Sequence, residues 1–468
     1  MIVFILILID LVAVLCSYQL AYLVRTGILP KLITFPFPEP LPFVLVNPIW
    51  LPLLFLFFYW FEQLYSRKYP FWEEIRQICK ASLLASLAGF SIVSIGKLSD
   101  EVSRTVLIFT FLNSLWIVPM ARLLGKRAAF GMGIGKRKII IIGAGLTGEL
   151  FLKSIRKEKT IGYDVIGFLD DDEKKKGTAV NNVKVLGKIS EIDSYLSPGI
   201  EVVVAIPGMA SEKMVHLVNL LQKKVKKVSF VPDLFGIPFL QSDMDFFFDN
   251  QVLLLNVRNT LKSEFNRVVK NTFDLILSLL IMSIALPFIL LISILIRVNS
   301  RGNPIYGHER IGHNGKKFKC LKFRTMYFDS DLRLKELLEK DETARKEWEK
   351  NYKIVNDPRI TKIGGFLRKT SLDEIPQLFN IFMGQMSLVG PRPVLQEELD
   401  KYYGEYSEYY YDVYPGLTGL WQVSGRSGVD YKKRVSLDVW YVSNWSLWLD
   451  VVILIRTVKA VFKRDGAY

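Results

Sequence analysis

Apolar residues in this chain are gathered into long runs, not spread at the one-face spacing of a soluble helix. Four runs open it, at about 2–24, 43–64, 78–96 and 105–124. Each is near the ~20 residues that a helix needs to cross a bilayer. The first has no basic leading region and no small-residue cleavage site, so it reads as an anchor and not as a removable signal. From 136 to 260 the pattern changes to short apolar strands alternating with helical stretches, as in a soluble α/β module. A further unbroken run, Asn271–Val298, opens the last part of the chain. Asp329–Lys353 is densely charged, and Leu332, Leu334, Leu337, Leu338 and Trp348 give it the partial stripe of a surface helix. The tail combines Trp440, Trp445 and Trp448 with the apolar run Leu447–Val461, which reads as an amphipathic helix at the headgroup level, with a core helix as the alternative.

Basic residues orient these runs. The loops after runs one and three hold Arg25 and Lys31, and Lys97 and Arg104. The loop after run two holds Arg67, Lys68, Arg76 and Lys80, and run four is followed by Arg122, Lys126, Arg127, Lys136, Arg137 and Lys138. The richer sides are cytoplasmic, which puts both ends of the bundle and everything downstream there. Asn271–Val298 could just span a membrane, but Lys262, Arg267 and Lys270 precede it and Arg297, Arg301, Arg310 and Lys316 follow it. With both flanks basic and Pro287 in mid-run, a helix–break–helix that enters and leaves by one face satisfies charge and backbone together. An ordinary fifth span is the alternative.

The middle module begins with Lys138–Ile142, a buried strand. Gly143, Gly145 and Gly148 follow in G-x-G-x-x-G spacing, and a second strand, Tyr163–Leu169, ends in Asp170-Asp171-Asp172. This is the dinucleotide-fold fingerprint in its proper context. It implies either a nucleotide site or a structural relic. No Tyr-x-x-x-Lys pair occurs in the module, which argues against short-chain dehydrogenase chemistry.

Composition narrows the partners. The 468-residue chain is half hydrophobic, with a net charge of +15 and three histidines and three cysteines; its mean hydropathy is +0.24. Cys16, Cys79 and Cys320 have no metal-ligand spacing, and a His-based metal centre has too few donors. The positive charge flanks the apolar runs, which favours a lipid surface and phosphorylated substrates over nucleic acid.

The densest chemistry lies in Leu367–Pro393. Asp373 and Glu374 adjoin there, between Arg368 and Lys369 on one side and Gly390-Pro391-Arg392-Pro393 on the other. Adjacent acids beside cations suit phosphate transfer, one carboxylate attacking phosphorus or holding a metal while arginines absorb charge. Most such pairs are simply solvated surface. Lys319, Lys322 and Arg324 alternate along an apparent strand, which can aim Lys322 and Arg324 at one face. Arg426 is a further candidate for a phosphate contact, and Asp357 is either a second acid or an Asx turn.

TSLDEIPQ, MSLVGPRP and Pro415–Ser427 (PGLTGLWQVSGRS) resemble the signature blocks of the bacterial sugar transferase family, as do Arg310–Met326 and Asn356–Arg368. These are the monotopic polyprenyl-phosphate phosphoglycosyl transferases, and the resemblance is dense over about 265–468. The layout is similar to that of the family's large members. It implies a multi-domain membrane protein: a four-helix transmembrane bundle at 1–128, a Rossmann-like cytoplasmic domain at 136–260, and an α/β catalytic domain at 262–468 with a re-entrant membrane helix at 271–298. In the large members the middle domain is degenerate and non-catalytic.

The resemblance implies transfer of a hexose-1-phosphate, galactose-1-phosphate first and glucose-1-phosphate as the alternative, from a UDP-sugar to undecaprenyl phosphate. Asp373 is then the nucleophile and Glu374 the Mg²⁺ ligand. Arg368 and Arg392 hold phosphates, and Lys319, Lys322, Arg324 and Arg426 add substrate contacts. The setting is the bacterial inner membrane, at the first membrane step of O-antigen, capsule or exopolysaccharide assembly, in a homodimer. The rival readings are a membrane-anchored nucleotide-sugar dehydratase and a non-catalytic scaffold for glycan assembly.

Overall fold

A computed structural model of the chain describes residues 1–32, 50–97, 103–197, 199–225, 227–232, 243–247, 252–256, 260–340, 342, 345, 357–425 and 430–463. They divide into two compact units, Met1–Leu234 and Phe235–Tyr468.

The first unit opens with α1 (Ile2–Leu32), which carries a π-helical stretch at Val24–Ile28, followed by α2 (Trp50–Phe61), α3 (Phe71–Ile95) and α4 (Arg104–Gly131). Three of these, α1, α3 and α4, are long and apolar enough to cross a membrane. The second expected run is seen only as the 12-residue α2, because residues 43–49 of that run lie outside the described ones. α3 and α4 extend beyond the apolar runs that foretold them, since polar residues join their ends. Several of those polar residues are buried together. The Arg122 guanidinium donates to Asp10 Oδ1 and Oδ2 at 2.7 and 2.6 Å and to Glu74 Oε1 at 3.0 Å. Lys126 donates to both Glu74 oxygens, and the Tyr65 hydroxyl donates to Asp10. Every charge in this cluster has a partner, which is the condition for keeping charge inside a bundle.

The same unit contains a six-stranded sheet in the order β3-β4-β2-β1-β5-β6. Its strands are β1 (Arg137–Ile142), β2 (Tyr163–Leu169), β3 (Ala179–Val180), β4 (Val183–Gly187), β5 (Glu201–Val204) and β6 (Val228–Phe230). The pairs are parallel except β3 with β4. Ile139–Ile142 are fully buried because α5 (Leu146–Lys157) and α6 (Ser211–Gln222) belong to this module and β1 is central to its sheet.

The second unit begins with the hairpin β7 (Asp243–Phe247) and β8 (Val252–Asn256), then α7 (Glu264–Asn299). α7 is helical without interruption for 36 residues, about 54 Å at 1.5 Å per residue. The expected break at Pro287 is therefore absent as a gap in helical conformation; the proline removes one donor and the helix continues. One face of α7 packs along its length. Lys270, Asp274, Ser278, Ile289 and Ile296 are buried, and Leu277, Met282 and Ala285 lie against the core. The opposite face, including Ile276, Leu280, Ile284, Phe288 and Leu291, is exposed and mostly apolar, with Ser283 among its exposed residues.

After α7 come the hairpin β9 (Ile305–Ile311) and β10 (Lys317–Phe323), then α8 (Ser330–Lys340), which is as much of the charged stretch as is described as a continuous helix. Next are α9 (Lys362–Thr370), α10 (Gln377–Phe382), the parallel pair β11 (Ser387–Val389) and β12 (Gly416–Thr418), and α11 (Leu420–Val423). The tail is two helices, α12 (Tyr431–Ser443) and α13 (Leu447–Lys463). Trp445 follows the core-helix alternative and not the interfacial one: it is buried within the protein, and its indole N–H donates to the fully buried Asp450 at 2.9 Å. Ile455, Val458 and Val461 form the exposed apolar side of α13.

Candidate active site

The Asp-Glu pair sits on a tight turn. α9 ends at Thr370, Ser371 takes a left-handed φ of 57°, and Leu372–Glu374 form a single 3₁₀ turn. Leu372 and Ile375 pack against a cluster containing Phe323 and Leu367, which anchors the turn by its apolar residues and leaves Asp373 and Glu374 half-buried between them. α10 follows and ties the turn to β10. Asn380, fully buried, donates to Lys319 O at 2.8 Å and accepts from Leu321 N at 2.9 Å. That pins the strand carrying Lys322 beside the turn.

Lys322 Nζ donates to Glu374 Oε1 at 2.6 Å, and Arg392 Nη2 reaches the same oxygen at 3.2 Å. Arg368 Nε donates to Thr325 Oγ1 at 2.8 Å. Burial, and then the neighbouring Glu374 charge, push the Asp373 carboxyl above its usual range, while Lys322 and Arg368 pull the other way. The pair thus consists of one carboxylate neutralised by two cations and one that holds its proton more tightly and is more basic when ionised.

The backbone around Arg392 is set by glycines. A Cβ on Gly416 would collide with Gly390 N, and one on Gly390 would lie 2.5 Å from Tyr414 O. β11 and β12 approach this closely only because both positions lack side chains. Below them, Lys270 Nζ donates to Val389 O at 3.0 Å and to Asp450 Oδ2 at 2.8 Å. The Tyr441 hydroxyl donates to Asp450 Oδ1 at 2.7 Å, and Ser387 Oγ donates to Asp274 at 2.6 Å. This buried network joins α7, β11, α12 and α13 beneath the site.

Asp373, Glu374, Arg368, Lys322 and Arg392 line one cavity of about 1010 Å³. Lys319 and Arg324 do not line it. The strand ends at Phe323, so alternation no longer governs Arg324. Its guanidinium instead donates to Arg301 O and Ser300 O at 2.6 and 2.7 Å, closing the end of α7. Asp357 does not line the cavity; it makes the Asx-turn contact, accepting from the Arg359 N–H at 3.0 Å, and pairs with the Arg359 guanidinium. Arg426 lies outside the described residues.

The cavity also takes in residues that the sequence reading passed over: Tyr306, Arg310, Trp421, Gln422, Arg434 and Asp438. Trp421 and Gln422 lie inside a quoted motif block, and Arg434 and Asp438 are one helical turn apart, which was the available signal. Asp438 is fully enclosed and accepts from Tyr403 at 2.8 Å; burial raises its carboxyl to about 7.

Among the described residues no cluster of three or more His, Cys, Asp or Glu could hold a metal. The adjacent carboxylates of Asp373 and Glu374 fit Mg²⁺ in its commoner mode, with one protein carboxylate and the remaining ligands from substrate phosphates and water.

The glycine fingerprint of the first unit is built as its spacing requires. Gly143 has φ 103°, and a Cβ on Gly148 would meet Gly143 O. The Ala144 N–H in that loop donates to Asp170 Oδ2 at 2.8 Å, and Lys175 pairs with the same oxygen at 3.0 Å. One of the donors that a phosphate would use is thus engaged by the protein itself.

Residues 265–464 match the bacterial sugar transferase family, and residues 61–232 match a family described as a CoA-binding domain. The chain is 42% identical over 405 residues to the UDP-galactose-lipid carrier transferase of Erwinia amylovora, covering 86% of this chain and 84% of that one. It is 42% identical over 408 residues to the undecaprenyl-phosphate galactose phosphotransferase of Salmonella typhimurium, with the same coverage. The UDP-glucose:undecaprenyl-phosphate glucose-1-phosphate transferase of Escherichia coli is 31% identical, over 72% of this chain and 70% of that one.

Proposed function

The chain belongs to the bacterial sugar transferase family and is a transferase of the undecaprenyl-phosphate type, and we propose that it moves galactose-1-phosphate from UDP-galactose to undecaprenyl phosphate, releasing UMP. The observation that carries this reading is the placement of Asp373 and Glu374 on the wall of one cavity with Arg368, Lys322 and Arg392. Three cations there can absorb the charge of a diphosphate before an anionic nucleophile approaches it.

In the first step an Asp373 oxygen attacks the β-phosphorus of the nucleotide sugar. The bond from that phosphorus to the bridging oxygen breaks, UMP leaves with the oxygen and its electron pair, and a sugar-phosphoryl-aspartate remains. In the second step a phosphate oxygen of undecaprenyl phosphate attacks the same phosphorus. The bond to Asp373 breaks, and the carboxylate and a polyprenyl diphosphosugar are produced. Glu374 would hold Mg²⁺, which when bound neutralises the substrate diphosphate. Lys322 and Arg392 pair with Glu374 and hold it in place. Arg368, fixed by Thr325, faces the reacting phosphates.

The acceptor is lipid-borne, which calls for a site at a membrane surface. Supporting this, α7 is mostly apolar along its exposed face, while its buried residues from Lys270 to Ile296 pack within one unit. Both ends of α7 pack on the same unit and both flanks are basic, which favours re-entry from the cytoplasmic face of the inner membrane over a lone span, with the continuous helix bending at Pro287 instead of breaking there. Glucose-1-phosphate is the second reading for the sugar, because a relative named for that transfer is also similar over most of its length. The test uses the full chain in detergent or nanodiscs with undecaprenyl phosphate and a panel of UDP-sugars, read by UMP release. UDP-galactose should be the best donor and Asp373→Asn should abolish release; turnover by Asp373→Asn at the parent rate would contradict the mechanism.

A further inference from the structure

Buried side-chain polar atoms without a partner are few among the described residues, and two of them, Asp438 Oδ1 and Gln422 Oε1, belong to residues that line the active-site cavity. Native proteins satisfy nearly all such atoms, so orphans in a cavity wall, buried while the cavity is empty, ask for an external partner that reaches them when the wall adjusts to a ligand. Gln422 Oε1 is an acceptor, and Asp438 Oδ1 is one when its carboxyl is ionised, above about pH 7. Asp438 already uses its other oxygen to accept from Tyr403, and Gln422 spends its amide nitrogen on a long, 3.5 Å contact to Leu417 O. The two residues come from the contacting helices α11 and α12, and on the same two helices the Arg434 guanidinium lies 4.6 Å over the Trp421 ring. One wall of the cavity therefore combines a flat aromatic–guanidinium surface with two unfilled acceptors.

Resting on the functional reading above, we propose that Asp438 and Gln422 are specificity-determining residues that accept hydrogen bonds from hydroxyl groups of the hexose carried by the nucleotide sugar. The chemistry favours the sugar over the base. Uracil offers one N–H donor flanked by two carbonyl acceptors, which would oppose acceptor oxygens. A hexose offers several hydroxyls that can donate, and its C–H face lies well on an aromatic ring. A site that reads a hydroxyl in this way discriminates by what it leaves unpaired when the hydroxyl is missing.

The test uses full-length protein, UDP-galactose and its 2-, 3-, 4- and 6-deoxy analogues, with Gln422→Leu and Asp438→Asn compared to the parent. Gln422 is half-buried and its variant should keep the fold even where Asp438→Asn does not. Each variant should lose about tenfold in kcat/KM for UDP-galactose. KM for undecaprenyl phosphate and inhibition by UMP, which carries no hexose, should stay unchanged. At least one deoxy analogue disfavoured by the parent should be turned over by a variant as well as UDP-galactose is. Parent-like discrimination among the deoxy analogues in both variants would overturn the proposal, and so would weakened UMP inhibition in step with kcat/KM. No UMP release by the parent from any UDP-hexose would sink the functional reading and this inference with it.

Discussion

Lys322 Nζ lies 2.6 Å from Glu374 Oε1, joining a strand to a turn 52 residues further along the chain. The contact does more than neutralise Glu374. Lys322 also lowers the proton affinity of Asp373, against burial and the Glu374 charge, which raise it. The state of the proposed nucleophile is therefore set by a balance that single substitutions can tip.

That balance gives a pH prediction. If Asp373 must be ionised to attack, kcat/KM for UMP release falls on the acid side, with an apparent pKa above the usual ~3.9 of aspartate. Lys322→Met removes a cation and should move the acid limb to higher pH. Glu374→Gln removes an anion and should move it to lower pH, whatever it does to the maximum rate. Rate profiles of UMP release check both directions, and shifts of the same sign in the two variants would contradict the assignment.

Gly416→Ala tests the close approach of β11 and β12. The new Cβ meets the backbone of Gly390, which no rotamer change can relieve. A loss of about 1–3 kcal/mol is expected, seen as a lower melting temperature of the purified protein, with the loss of activity following from the displaced Arg392 turn.

Lys270 and Asp450 are buried partners 180 residues apart. Lys270→Met leaves Asp450 in the core without its cation, at a cost of about 3–5 kcal/mol. Combining it with Asp450→Asn should recover part of that loss, because the uncompensated charge is gone. Thermal unfolding of the two single variants and the double variant measures the coupling.

Asp438 gives stability a pH dependence. Its carboxyl rises from an ordinary 3.8 to about 7 on folding, so between those values the folded protein holds a proton that the unfolded chain has released. The stabilisation is full below the lower value and is lost as pH rises through the upper one. Melting temperatures should therefore fall between pH 5 and pH 8 by more in the parent than in Asp438→Asn; equal slopes would show that the carboxyl is not raised.

The sequence made the core of this site legible because much of it is contiguous. Asp373, Glu374 and Arg368 share seven positions, and Arg392 follows in the next motif block. Lys322 was reachable by strand alternation, but the same rule misplaced Arg324, since the strand stops one residue earlier. The paired acceptors at Gln422 and Asp438 were invisible, because their meaning depends on which atoms fail to find partners after folding. Trp445 was misread as a headgroup residue for a related reason. Its partner, Asp450, marks a buried helix, and the Lys270 and Tyr441 contacts that make an aspartate tolerable there come from distant segments. Helix existence was read well from apolar runs; helix ends were not, because Lys126 continues α4 past residue 124 through its ion pair with Glu74, where hydropathy counts a stop.

The covalent role of Asp373 is tested most directly by mixing the full-length protein with UDP-galactose labelled in the β-phosphate, without undecaprenyl phosphate. A two-step mechanism predicts a burst of UMP up to one equivalent of active enzyme and label retained on Asp373, discharged on adding undecaprenyl phosphate and absent from Asp373→Asn. UMP formed only when the acceptor is present, with no label on the protein, would contradict it and point to direct transfer.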